Sequence, residues 1–148
     1  MSGIASNVAT LQLQGEASRV QAAIDALALA PHSRWQQGER SRRGGVHACS
    51  GCSAVVADVS NPVALTDRVR DLLLTCQRLD YDFPALGLRA ELSVAMSIGN
   101  AAQHVAAIEW SAADLRLLGG CGIDLGITAF PTWDDAAAED DPLQDFWR

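Results

Sequence analysis

Polar and apolar residues alternate first between Val8 and Gln14, where Val8, Thr10, Gln12 and Gln14 interleave with Ala9, Leu11 and Leu13 before Gly15. This period of two predicts a strand with one buried face. Glu16 to Ala30 then sets Val20, Ile24 and Leu27 at i, i+4 and i+7 among alanines, which predicts a helix stopped by Pro31. His32 to Gly45 holds Gly38, Gly44, Gly45 and four arginines and reads as an exposed loop with room for a short strand. Ala48 to Val59, with Val55, Val56 and Val59, predicts a second strand.

The strongest periodicity runs from Val63 to Leu79, where Leu65, Val69, Leu72, Leu73, Cys76 and Leu79 form one stripe. It predicts an amphipathic helix packed on a sheet, capped by Asn61 or Ser60, with Pro62 in the first turn and Asp71 paired to Arg70 or Arg78 on the solvent side. Asp80 to Gly87 is a connection. Arg89 to Gly99 alternates again and predicts a strand, and residues 103 to 110 suggest another, ending at Trp110. Ser111 with Asp114 three residues on predicts a capping box for a helix that Gly119, Gly120 and Gly122 terminate. Ile123 to Phe130 is the last predicted strand, and Pro131 leads into the tail.

The order β-α-β-α-β-(β)-α-β fits either a parallel α/β sheet or an α+β sheet. Alternating rather than uniformly apolar strands favour α+β: a mainly antiparallel sheet of four to five strands with about three helices, a two-layer sandwich with one wetter sheet face. Residues 1 to 133 are expected to form this single domain, and residues 134 to 148 an acidic C-terminal tail. At 148 residues, 49% of them hydrophobic and 20% charged, the chain can bury a core without disulfide or metal staples, so the cysteines are not needed for folding. The sequence holds no phosphate-binding glycine loop and no G-x-S-x-G elbow, and no cofactor is expected. No apolar run reaches the ~18 residues of a membrane span, and Met1 to Asn7 lacks the basic start of a leader, so a cytoplasmic protein that does not enter membranes is expected. Cys49, Cys52, Cys76 and Cys121 are then reduced thiols, the last two free and buried.

Charge divides the chain unevenly. From Asp134 to Arg148 six acids face one arginine, a net −5, which leaves −2 for the rest of a chain whose total is −7. A nearly neutral body argues against nucleic-acid binding through a general basic field, and the tail suits a basic partner protein. A solvated end that aids solubility is the plainer reading of the tail.

The most motif-like stretch is HACSGC, residues 47 to 52. His47, Cys49 and Cys52 could supply three ligands of a zinc site, but a closed site needs a fourth, and no second Cys pair with this spacing exists. A redox pair is normally set at a helix start, whereas a strand is expected here, so small buried thiols are the simpler account. Trp35 is a possible ligand platform or a cap on the core. Asp80 and Asp82 flank Tyr81 in a loop, either solvated or facing a partner.

Several segments together resemble the domain-of-unknown-function family 4279. They are the first strand and helix, SRWQQGE (Ser33 to Glu39), the helix Val63 to Leu79, and EWSAADLRLLGGCGIDLGITAF (Glu109 to Phe130). The resemblance implies a small bacterial α+β protein without assigned catalytic residues, and a candidate place among toxin and immunity genes. Two functions follow as expectations. One is a non-enzymatic binding protein, most concretely an immunity protein that neutralises a basic toxin through Asp80, Asp82, Trp35 and the tail acids Asp134, Asp135, Glu139, Asp140 and Asp141. The other is a metal- or thiol-dependent sensor or enzyme using His47, Cys49 and Cys52. The sequence leaves monomer and homodimer open.

Overall fold

A computed structural model describes residues 5 to 99 and 102 to 132. The tail acids lie outside the described residues. The elements are β1 (Asn7–Gly15), α1 (Ala17–Ala26), β2 (Pro31–Trp35), β3 (Ser50–Val59), α2 (Pro62–Arg78), a short 3-10 turn Pro84–Leu86, β4 (Arg89–Ile98), α3 (Ala112–Cys121) and β5 (Ile123–Pro131). The five strands make one sheet in the order β2-β3-β1-β4-β5. All pairs are antiparallel except β4 and β5, which are parallel and joined by α3. The fold is therefore α+β with a mostly antiparallel sheet.

Alternation decides which face each strand residue takes. Ala9, Leu11 and Leu13 of β1, Cys52 of β3 and Ala90, Leu92 and Val94 of β4 are buried in one cluster with Val20 and Ile24 of α1 and Leu65, Val69 and Leu73 of α2. The helices thus cover one face, and Thr10, Gln12, Gln14, Ser53, Glu91 and Ser93 lie on the other. A bulge shifts the β1–β3 register after Ala9, which pairs with Ala57 while Thr10 pairs with Val55.

Several boundaries move for identifiable reasons. α1 ends at Ala26 rather than Ala30, because Ala28 turns left-handed (φ 52°) and Leu29 N–H bonds Ile24 C=O, a Schellman closure made without glycine. Pro31 therefore does not stop this helix; it opens β2, where an edge strand tolerates the missing N–H. The strand suggested over residues 103 to 110 does not form: Gln103 makes a single bridge, and Ala106, Ile108 and Trp110 pack on the core as irregular chain. α2 has its expected Asn61 cap, with Oδ1 accepting from Val63 N–H at 2.8 Å, and α3 its expected Ser111–Asp114 capping box.

Arg70, expected to pair with Asp71 on the solvent side, instead pairs with Asp67 and, over a longer range, with Asp114. Arg70 grips Asp114 of α3 with two bonds, Nε to Oδ1 at 2.6 Å and an η nitrogen to Oδ2 at 2.9 Å, and also reaches Asp67 at 3.1 Å. At the far end of the sheet, buried Asn7 exchanges bonds with Gln103, which also donates to Ser97 C=O at 2.6 Å. No helix of the described residues is long and apolar enough to cross a membrane.

Candidate functional site

Two surfaces gather the residues to which the sequence drew attention, and they lie on opposite faces of the sheet. The first is a groove of about 620 Å³ between α2 and α3. Leu74, Leu117, Ala113 and Gly120 give it an apolar lining, and Asp80, Asp82 and Arg116 contribute its charges. Its position follows from the end of α2: Tyr81 N–H bonds Cys76 C=O at 2.8 Å and Asp80 takes a left-handed turn at φ 54°, where glycine is the less strained residue. Phe83, fully buried, then pins the connection by donating its N–H to Cys121 C=O at 3.0 Å. Asp80 and Asp82 are thereby held on either side of the half-buried Tyr81.

Cys76 and Cys121 lie side by side beneath this groove. Burial, with Cys121 adding to it, pushes the Cys76 thiol up to about 12, and burial also raises Cys121 and Cys52. Three of the four thiols are therefore protonated at neutral pH and are poor nucleophiles.

The second surface is the uncovered sheet face, a concavity of about 540 Å³. Its wall is a hairpin that follows β2 and folds back through a bridge between Arg40 and Val46, with Gly38 N–H on His47 C=O and His47 N–H on Glu39 C=O. The hairpin carries Arg40, Arg42 and Arg43. It is fastened by Trp35, whose ring lies over Gly51 and stacks on His47 with centroids 5.1 Å apart and planes 20° apart. A Cβ on Gly51 would meet Trp35 and the Leu13 carbonyl oxygen at about 2.5 Å, so this strand position admits only glycine. Gly51→Ala is expected to lose roughly 1–3 kcal/mol and to unstack His47, read as a shift of its ring protons. Gly119→Ala, in open space on α3, is expected to gain up to ~1 kcal/mol.

The sequence-derived residues thus separate. Asp80 and Asp82 come together at the groove, whereas Trp35 is on the far face with His47 and does not join them. His47, Cys49 and Cys52 do not converge: His47 stacks on Trp35, Cys49 Sγ is 4.0 Å from Gln14 Oε1, and Cys52 is buried on the helix side of the sheet. No group of three His, Cys, Asp or Glu side chains suited to a metal ion occurs among the described residues. The arginine hairpin and the polar floor below it went unrecognised as a unit. Their signals were the cluster RSRRGG and the polar half of each alternating strand. Comparison of the chain with protein-family models, with curated proteins and with solved structures finds no match.

Proposed function

We propose that this chain is a non-enzymatic binding protein in an immunity role, neutralising a basic toxin by contact at the groove between α2 and α3. The observation that carries the reading is the pairing of an apolar groove with two acids, Asp80 and Asp82, on the turn beside it. Such a groove accepts an apolar or aromatic anchor from a partner while the acids meet its basic residues. Asp80 strengthens the point, since a left-handed position is filled by an acid where glycine would relieve strain. The net charge of −7 steers a basic partner toward the protein. The resemblance of SRWQQGE and the Glu109 to Phe130 segment to family 4279 adds the gene-neighbourhood argument.

The product of the adjacent gene is the partner to test. Binding by titration calorimetry is expected to be saturable, and the double variant Asp80→Asn, Asp82→Asn is expected to weaken it by about tenfold or more. Asp80→Gly separates strain from recognition: it is expected to raise the thermal midpoint while weakening the complex.

A further inference from the structure

An uncovered sheet face is ordinarily wet, and its polar side chains find water. Thr10 departs from this. It is only 4% exposed, its Oγ1 has no hydrogen-bond partner among the described residues, and it lines the concavity under the arginine hairpin. A buried hydroxyl without a partner lowers stability, and valine would fill the same β-branched shape without that cost.

The neighbours of Thr10 define what could satisfy it. Gln12, Gln14, Ser53 and Ser93 give the floor amides and hydroxyls that both donate and accept. Glu91 adds a carboxylate, which accepts from Ser93 Oγ at 3.2 Å and retains further acceptor capacity. Above them, Arg40 and Arg42 bring guanidinium groups to the wall, the geometry suited to the oxygens of a phosphate. A long polyanion is a poor match, because Glu91 and Glu39 would oppose its successive charges. A volume of about 540 Å³ instead suits one small molecule.

We propose that this face binds a small phosphorylated polyol, such as a sugar phosphate or the ribose phosphate of a mononucleotide. Arg40 and Arg42 hold the phosphate, and Thr10, Gln12 and Glu91 receive the hydroxyls. The site is on the opposite face from Asp80 and Asp82, so it goes beyond the partner-binding reading and stands or falls separately from it.

The test is calorimetric titration of the full chain with ribose 5-phosphate, adenosine monophosphate, ribose and inorganic phosphate. At least one of the two phosphorylated polyols is expected to bind with a Kd below about 1 mM, at least tenfold tighter than ribose or phosphate alone. The nucleotide and the sugar phosphate arms show whether a base contributes. The double variant Arg40→Ala, Arg42→Ala is expected to weaken binding about tenfold or more, and Asp80→Asn, Asp82→Asn to leave it unchanged. Thr10→Val is expected to weaken it about threefold or more at an equal or higher thermal midpoint; should that variant not fold, Gln12→Ala takes the same readout. Absence of saturable binding by both polyols, equal binding of inorganic phosphate, or indifference to the arginine and floor variants overturns the proposal.

Discussion

Replacing Phe83 by alanine is expected to remove about 3–5 kcal/mol of unfolding free energy, the largest effect of any single change considered for this fold. The ring is fully buried, packs against Tyr81 with centroids 5.3 Å apart, and belongs to the same cluster as Leu73 and Cys121. Its backbone also organises the turn: the N–H donates to Cys121 C=O, and the C=O accepts from Leu86 and Leu88 N–H. Truncation leaves a cavity where α2, α3 and β4 meet, and it loosens the segment that displays Asp80 and Asp82. Since a domain of this size has only about 5–15 kcal/mol in total, the variant is expected to be partly unfolded near body temperature. Urea unfolding of Phe83→Ala beside Phe83→Leu checks this, the leucine variant keeping most of the volume. A loss below about 1 kcal/mol in the alanine variant contradicts the assigned packing.

The second large effect is expected at Asp114. This carboxylate is 2% exposed, caps α3 through its bond from Ser111 N–H, and accepts the Arg70 fork that ties α3 to α2. The Arg70 hydrogen bond, the Ser111 bonds and the Arg70 charge together hold its pKa well below the usual carboxylate range. Because the folded pKa lies below the unfolded one, the stabilisation is fully present above about pH 4 and is lost as pH falls from there. Asp114→Asn keeps the shape but not the charge, and is expected to cost about 2 kcal/mol at pH 7, lowering the midpoint by roughly 5–10 °C. The difference from wild type is expected to shrink as pH falls below 4. Thermal melts of both proteins from pH 7 to pH 2.5 measure it; a difference independent of pH contradicts the ion pair as its source.

The parts of the fold readable from the sequence were those fixed by local pattern. Ala9, Leu11 and Leu13, or Leu65, Val69 and Leu73, point one way because a single strand or helix has one periodicity. Caps at Asn61 and Ser111 are equally local. Residues 103 to 110 misled because Ala106, Ile108 and Trp110 do alternate and do meet the core. Alternation alone cannot place them in the sheet: β4, the strand they follow, is already flanked by β1 and β5. Arg70 illustrates the same limit from the polar side: helix spacing accounts for its contact with Asp67, but its main partner, Asp114, is 44 residues away.

The candidate surfaces were half readable for the same reason. Asp80 and Asp82 stood out as loop acids, yet the groove beside them needs α3 folded against α2. His47, Cys49 and Cys52 are neighbours along the chain, but strand alternation and the hairpin send them to different places. Thr10 was legible as a polar strand residue; the burial of its hydroxyl was not, because it depends on what β3, β4 and the hairpin build around it.

The central claim, recognition of a basic toxin at the α2–α3 groove, is tested most directly in cells producing the adjacent gene product together with this chain. Wild type is expected to protect them, and the Asp80→Asn, Asp82→Asn variant to lose protection while remaining as stable as wild type. No protection by the wild type, or protection undiminished in that variant, contradicts the account.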